Sequence, residues 1–162
     1  MSMADRIAVL NGGIVEQCAP PVEIYDRPKT LFVNQFVGTT NLLPVKVVRA
    51  EAHDLVLRFL DAEFVCRGTA ASDPALAAGT DAVWSIRPER LSVFTQPGPG
   101  RIAATVRVVL PLGPITVYEA VAGSTSIKIN QSRVDPSPGV EPGASIFIGQ
   151  SDPAAGQVFA AP

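Results

Sequence analysis

The sequence predicts a mainly β protein that builds one or more small barrels, preceded by a hairpin and two short helices. From Asn41 onward, short β-branched and aromatic segments alternate with clusters of Gly, Pro and Asp, a spacing typical of small barrels. Before Asn41 the apolar residues follow a hairpin pattern and then a helical one. A chain of 162 residues has room for one ordinary domain with a real core, or for a small domain with an appendage, but not for two full enzyme domains.

The N-terminal segment begins with a predicted β-hairpin. Residues 7–10 and Ile14-Val15 are apolar, and Asn11-Gly12 between them supplies residues that accept positive φ. A helix of one or two turns should lie between Pro21 and Pro28, because Pro21 suits a first helical position and Pro28 cannot continue the helix. Two strands alone are marginal in water, so we expect this hairpin to need a neighbouring element.

A second short helix is predicted between Thr30 and Val37. Phe32 and Phe36 are four residues apart and share one face, and Val33 and Val37 lie beside them. This apolar stripe needs a partner surface, and the glycine that follows at position 38 is a natural end for the helix.

The remaining 122 residues (41–162) are predicted to form at least nine short strands. The strands are expected at 45–49, 55–59, 63–67, 83–87, 91–94, 105–109, 116–121, 126–129 and 145–148. Pro74 to Gly79 followed by the strand at 83–87 resembles Pro138 to Gly143 followed by the strand at 145–148. This internal similarity is compatible with two related halves, and equally with two unrelated glycine turns that each precede a strand.

Composition and charge argue against several classes of function. The formal net charge of -2, with basic residues spread along the chain, gives no basis for nucleic-acid binding. The apolar runs are too short for a membrane-spanning helix, and the N-terminus has no apolar signal-peptide core, so we expect a cytoplasmic chain. The cysteines, Cys18 and Cys66, have no metal-ligand spacing and are expected to be reduced.

The sequence contains no pattern for nucleotide hydrolysis or nucleophilic catalysis. A P-loop requires Gly-x-x-x-x-Gly-Lys-Ser/Thr, and neither Gly12-Gly13 nor Gly98-Pro99-Gly100 fits that pattern. Both are interpreted as turns. His53 is the single histidine, which excludes multi-histidine metal sites, and it is expected to be an exposed loop residue. We therefore expect no ATPase activity, no metal site and no cofactor in this stretch.

Four residues are candidates for ligand or interface contacts. Arg87, Glu89 and Arg90 surround Pro88 at a strand end, where proline restricts the geometry in which the charged side chains are presented. They could contact a ligand or partner, or form a local ion pair between strand and turn, and we favour the ion pair. The fourth candidate, Tyr118, is expected in the core or at a dimer surface, whereas Trp84 and Phe147 are both expected in the core.

Read in order, several segments resemble the end of the ATPase domain and the following regulatory domain in maltose- and polyamine-type ABC importer ATPases. The segments are 4–17, 21–28, 32–38, 41–43, Ser85-Ile-Arg-Pro-Glu-Arg-Leu91, Leu110-Pro-Leu-Gly113 with Tyr118, and Pro142-Gly143. Ser85 to Leu91 is similar to the "I-R-P-E" strand of the transport-associated OB (TOBE) domain. The combination spans nearly the whole chain.

The resemblance implies two regions with different origins. Residues 1–40 would be a C-terminal remnant of the ABC ATPase domain with its linker, and residues 41–162 a TOBE regulatory domain with an OB-like barrel fold. In the family, the nucleotide-binding motifs lie upstream of the segment matching Ser2 to Asp5, so ATP and Mg²⁺ would bind only in the full-length parent. Met1 would then be an artificially placed or misannotated start.

The implied partners are a second copy of the subunit and, through the ATPase domain, the membrane subunits of the importer. The intact transporter would hold the subunit at the inner face of the cell membrane. The compact segment from Gly38 to Leu43 resembles importers for polyamines, ferric iron or phosphonates rather than sugars. Ala19-Pro20 departs from the Gly-Thr of many relatives and removes an N-cap hydroxyl. The alternative function is a free-standing OB-type module that binds a small ligand such as an oxyanion.

Overall fold

The computed structural model describes residues 4–51, 53–68, 74–133 and 139–161. The chain divides into two compact units, Met1–Thr40 and Asn41–Pro162. We call them unit 1 and unit 2 and describe each by itself.

Unit 1 contains the hairpin and both predicted helices. Strands β1 (Ile7–Asn11) and β2 (Ile14–Ala19) pair antiparallel, and helices α1 (Pro21–Asp26) and α2 (Leu31–Phe36) follow. The two turn residues are Gly12 and Gly13, with φ of 57° and 84°, so positive φ falls one residue later than the predicted Asn11-Gly12. Glycine adopts this left-handed backbone without the steric cost that a Cβ atom brings.

A small core holds unit 1 together. Val9 of β1, Ile24 of α1 and Val33 of α2 are buried together. Gln17 on β2 binds the backbone of the segment between the two helices. Its Nε2 donates to the Arg27 carbonyl at 3.2 Å, and its Oε1 accepts from the backbone amide at position 29 at 2.8 Å. These bonds satisfy a buried amide side chain and fix the direction in which the chain enters α2.

The predicted apolar stripe of α2 is only partly correct. Val33 is fully buried and forms the centre of the helix contact, whereas Phe36 is 67% exposed. The Phe36 ring stacks on that of Phe32, with ring centroids 6.1 Å apart. Val33 packs into the small core, whereas Phe36, three residues later on the same side of the helix, stays at the surface against Phe32.

Unit 2 consists of ten strands in two five-stranded antiparallel sheets with the orders β12-β6-β3-β4-β5 and β10-β9-β8-β11-β7. The strands are β3 (Asn41–Glu51), β4 (Asp54–Phe59), β5 (Ala62–Arg67), β6 (Asp81–Ile86), β7 (Leu91–Phe94), β8 (Ile102–Leu112), β9 (Ile115–Ala122), β10 (Thr125–Ser132), β11 (Ser145–Gln150) and β12 (Gln157–Ala160). The mainly β prediction is confirmed, and the nine predicted strands correspond to β3 to β11, although the strand predicted at 83–87 ends one residue earlier, at Ile86. β12 was not predicted.

The two sheets are built to one plan. In each, a long strand (β3 or β8) carries a bulge and pairs with the next strand along the chain. The backbone of Val47 exchanges hydrogen bonds with Gly79 and Thr80, and that of Val106 exchanges them with Gly143 and Ala144 in the same pattern. Gly79 and Gly143 have φ of 91° and 90°. The internal similarity in the sequence therefore reflects two structurally related halves.

The first half of unit 2 runs from β3 to β7 and the second from β8 to β12, and each half contributes its last strand to the other half's sheet. β7 follows β6 in the chain but pairs with β11 of the second sheet, and β12 follows β11 but pairs with β6 of the first sheet. Each sheet is thus completed by a strand from the other half. One continuous hydrophobic core includes residues of both halves, among them Trp84, whose ring centroid lies 4.4 Å from that of Phe64.

Phe147 does not belong to this core, contrary to the prediction. In β11 the buried side chains are Ile146 and Ile148, and Phe147 between them is only half-buried. Because side chains alternate between the two faces of a strand, the two isoleucines take the inner face and the phenylalanine lies on the outer one.

Candidate functional site

The charged segment Arg87–Arg90 forms the corner where the chain passes from the first sheet to the second. Arg87 has extended backbone (φ −69°, ψ 144°), as expected before a proline, and residues Pro88 to Arg90 form a single 3-10 turn. The Arg90 amide donates to the Arg87 carbonyl at 2.9 Å and closes the turn. β7 starts immediately afterwards, so this corner is one of the two connections that take an exchanged strand from one sheet to the other.

The second connection between the two sheets is hydrogen-bonded to this corner. The segment after β11 returns the chain to the first sheet, and it begins at Ser151. The amide and the hydroxyl of Ser151 both donate to the Arg90 carbonyl, at 3.0 Å and 3.1 Å. The two crossings are therefore bonded to each other, which gives the Arg87–Arg90 motif a structural role in joining the two halves.

The predicted contact residues are distributed between the interior and the surface. Arg87 is 8% exposed, whereas Glu89 and Arg90 are exposed side chains at the corner. Tyr118 lies in β9 and is 2% exposed, within the hydrophobic core. Of the two alternatives for Tyr118 the structure shows the core, so it does not serve as a surface contact. Only Glu89 and Arg90 remain as accessible candidates.

A cleft that the sequence did not reveal lies between β5, β7 and β11. It has a volume of about 390 Å³. The Arg101 guanidinium lies on the Phe94 ring, with its carbon 3.7 Å from the ring centroid, and Nη1 donates to the Gln96 carbonyl at 2.8 Å. A Cβ atom at Gly149 would be 3.1 Å from the Phe94 ring, so a larger residue at this position would crowd the ring on the floor of the cleft.

The cleft also holds a polar atom without a partner. Gln150 donates through Nε2 to the Val65 carbonyl, while its Oε1 is buried and accepts no hydrogen bond within the described part of the chain. A buried acceptor without a donor reduces stability, and this oxygen has almost no exposed surface through which a ligand in the cleft could reach it. The signal in the sequence was Gly98-Pro99-Gly100-Arg101, which is correctly interpreted as a turn but also delivers Arg101 to the cleft.

The chain has clear relatives among known proteins. The TOBE domain family matches residues 84–159. The chain is 41% identical over 116 residues to an sn-glycerol-3-phosphate import ATP-binding protein of Rhizobium johnstonii and 40% identical over 139 residues to a spermidine/putrescine import ATP-binding protein of Frankia alni. This chain contains a TOBE domain and is similar to part of the ATP-binding subunits of ABC importers.

The alignments with these ATP-binding subunits cover most of this chain but only a minor part of each relative. The two alignments cover 70% and 80% of this chain, but 28% and 30% of the relatives. An uncharacterised ABC transporter ATP-binding protein of Sinorhizobium fredii is 37% identical over 91% of this chain and 37% of its own length. The chain therefore spans less than two-fifths of these curated relatives.

The TOBE fold also has a counterpart among solved structures. The cytoplasmic molybdate-binding protein ModG superposes with a TM-score of 0.61 over 75% of this chain and 96% of its own, at 15% sequence identity. This similarity establishes the fold and supports the predicted OB-like architecture.

Other predicted features of this TOBE-containing chain can be placed on the structure. His53 is exposed in the turn after β3, Cys18 is exposed, and Cys66 is buried with its Sγ 3.9 Å from the Ala155 carbonyl oxygen. Within residues 4–51, 53–68, 74–133 and 139–161, no three His, Cys, Asp or Glu side chains are grouped to hold a metal ion. None of the helices in those ranges has the length and apolar character needed to span a bilayer.

Proposed function

We propose that this chain is the C-terminal regulatory and dimerisation part of the ATP-binding subunit of an ABC importer. The observation that carries the proposal is the alignment of up to 91% of this chain with a segment of such subunits that is much shorter than the whole subunit. Unit 1 would then be the end of the ATPase domain, and unit 2 the regulatory domain.

Under this proposal the chain does not itself hydrolyse ATP. The sequence contains no P-loop, so ATP and Mg²⁺ would be bound by other parts of the full-length subunit. The partners would be a second copy of the subunit and the importer's membrane subunits, reached through the ATPase domain. The complete subunit would lie peripherally at the inner face of the cell membrane.

We propose that Glu89 and Arg90 contribute partner contacts. They project from a corner that the Ser151 hydrogen bonds hold in place, so a partner would meet them with little ordering cost. We propose that the transported compound is a polyamine, ferric iron or a phosphonate rather than a sugar. The names of the relatives include both spermidine/putrescine and glycerol-3-phosphate importers, and membrane-subunit contacts rather than this domain would decide the compound.

A chimera tests the proposal. The spermidine/putrescine import ATP-binding protein of Pseudomonas aeruginosa is 38% identical to this chain over 118 residues, so its matching segment can be replaced by residues of this chain. We expect the chimera to support spermidine uptake coupled to ATP hydrolysis, and a control truncated before the matching segment to lose that coupling. A chimera that behaves like the truncated control would overturn the proposal.

A second candidate function is a small-ligand module that binds an oxyanion. Two observations favour it: the superposition on almost the whole of a molybdate-binding protein, and the cleft in which the Arg101 guanidinium supplies a positive charge. Calorimetric titration with molybdate, sulfate and phosphate, repeated on Arg101→Gln, tests it. Heat that saturates in the parent chain and disappears in the variant supports this candidate, and no heat for any of the three anions rejects it.

A further inference from the structure

An open groove of about 430 Å³ lies on the outer face of the second sheet and adjoins the cleft described above, where Phe147 of the groove pairs with Phe94 of the cleft. Strands β8, β9 and β11 form its floor. The side chains that give it chemical character are Thr105, Arg107, Val121, Ser145 and Phe147. Its volume lies within the range of about 300–1,000 Å³ that is usual for small-molecule sites.

The polar part of the groove is built by strand register. Thr105 on β8 and Ser145 on β11 are directly opposite each other in the antiparallel pairing, so their two hydroxyl groups lie on neighbouring strands of one groove. Each hydroxyl can donate one hydrogen bond and accept others. Together they offer two donors to a ligand that carries oxygen acceptors.

A β-bulge brings a cation to the same place. The register between β8 and β9 shifts between Val106 and Val108, which leaves Arg107 as the extra residue on β8. Bulges leave one residue unpaired and redirect its side chain, and they are common beside functional sites. Arg107 is exposed, and no carboxylate of the described residues lies within ion-pair distance of its guanidinium.

The apolar part of the groove is provided by the outward-facing side chains of the neighbouring strands. Phe147 is paired with Ala103 across the β8–β11 ladder, and Val121 is paired with Thr105 across the β8–β9 ladder. Both Phe147 and Val121 are half-buried. Together with Ala103 and Val121, the half-buried Phe147 gives a ligand an apolar surface next to the polar groups.

The related groove in the first half shows that these features are not imposed by the fold. It has a volume of about 510 Å³ and is lined by Lys46 and Asp81 at the positions of Thr105 and Ser145. Lys46 Nζ lies 3.7 Å from Asp81 Oδ1, so the charges there neutralise each other. Val48 occupies the bulge position that Arg107 has in the second half. Only the second groove combines an arginine without a carboxylate partner with two hydroxyl groups.

We propose that the groove formed by Thr105, Arg107, Val121, Ser145 and Phe147 binds a small monocarboxylate with a short apolar body. The carboxylate accepts charge-assisted hydrogen bonds from Arg107 and hydrogen bonds from the two hydroxyl groups. The apolar body covers Phe147 and Val121. The site is separate from the proposed importer role and from the Arg101 cleft, so each of the three can fail without the others.

The test is an NMR titration of the whole chain with hexanoate, with hexanol and inorganic phosphate as partial ligands. Hexanoate should shift the amide signals of residues 103–107, 121–123 and 145–147, and neither hexanol nor phosphate should saturate those shifts at the same concentration. Saturation with phosphate at equal affinity would overturn the requirement for an apolar body. Saturation with hexanol at equal affinity would overturn the requirement for the carboxylate.

Matched variants connect the binding to the residues. Arg107→Gln should weaken hexanoate binding about tenfold or more, since a hydrogen bond to a charged group is lost. Thr105→Val with Ser145→Ala should weaken it by a smaller factor. The control Lys46→Gln in the related groove should leave binding unchanged. Unchanged binding in Arg107→Gln, or shifts centred on residues 44–46 and 81–83 instead, would overturn the proposal.

Discussion

Leu60 and Gly123 occupy the same position in the two halves of unit 2, and they lie against each other. Each is the first residue of a two-residue loop, because Phe59 pairs with Ala62 and Ala122 pairs with Thr125. Their φ angles are 53° and 59°. A Cβ atom at Gly123 would be 3.3 Å from Leu60 Cδ2. The two hairpin turns therefore meet where the related halves come together.

We predict that Gly123→Ala lowers the free energy of unfolding by about 1–2 kcal/mol, since the substitution puts a Cβ atom on a left-handed backbone. Its close approach to Leu60 adds to that cost. Urea unfolding measures the change. The same substitution in a Leu60→Gly background should cost less, because the steric part is then removed. Equal costs in the two backgrounds would show that the contact with Leu60 contributes nothing.

A second prediction concerns Gly156, which packs beneath the indole of Trp84. Gly156 has φ of 86°, and a Cβ atom there would lie 2.5 Å from Trp84 Nε1 and 2.9 Å from the Ser85 carbonyl oxygen. Gly156→Ala must therefore displace the crossing before β12 from the first sheet. We expect a loss of about 3 kcal/mol or more, from overpacking together with backbone strain.

The control for Gly156→Ala is Gly143→Ala. Gly143 has a similar φ of 90°, but a Cβ atom there would meet no atom within 4 Å. The control should therefore cost only the backbone term of about 1–2 kcal/mol. Trp84 is the single tryptophan, so its fluorescence reports the local environment directly. If both variants lose equal stability and keep the parent emission spectrum, the packing of Gly156 on Trp84 is not a source of stability.

The third prediction follows from the exchanged strands. Val158 of β12 is 6% exposed and pairs with Trp84, and Val93 of β7 is 5% exposed and pairs with Ile148. Truncating either valine to alanine should remove about 2 kcal/mol, and each should shift one common unfolding transition, because each half depends on a strand of the other. Two separate transitions in Val158→Ala, observed by fluorescence and circular dichroism, would contradict this coupling.

The regular elements could be predicted from the sequence because local chemistry determines them. Period-two patterns between Gly and Pro clusters located β3 to β11, and Pro21 and Pro28 delimited α1. β12 was missed because Gln157–Ala160 is a strand of four residues without a clear alternating pattern, stabilised by pairing with β6. That pairing is a contact distant in sequence, which periodicity does not contain.

The candidate site could be predicted only in part. The sequence located the charged corner, and the structure shows that it connects β6 to the exchanged strand β7. Whether Tyr118 and Phe147 face inward depends on strand register, and a shift of one residue reverses every side chain. The Arg101 stack on Phe94 and the Thr105–Ser145 pair were missed because each brings together residues from different strands.

The fourth prediction concerns the boundary between the two units, which lies between Thr40 and Asn41. The small buried cluster of unit 1 and its short helices should open more readily than the ten-strand unit 2, so limited proteolysis should cut before about Asn41. Mass spectrometry of the early products identifies the site. Early cleavage within the β strands, with residues 1–40 protected, would contradict the prediction.

The last prediction is that the chain self-associates as a two-fold dimer. Closed two-fold pairing is the commonest form of oligomer, and the proposed importer subunit would act in pairs. Two surfaces could drive association. Unit 2 could provide the interface. Alternatively, the exposed apolar side chains of unit 1 could become buried against a second copy, since Ile14 is 72% exposed and Phe36 is 67% exposed.

The whole chain with Ile14→Lys and Phe36→Lys separates the two routes. Both side chains are exposed, so the substitutions remove apolar surface while the buried cluster of Val9, Ile24 and Val33 stays intact. We predict that unit 2 provides the interface, so sedimentation over a wide concentration range should show a dimer for the parent and the variant alike. A dimeric parent with a monomeric variant would assign the interface to unit 1 instead. A parent that stays monomeric at high concentration would reject both routes.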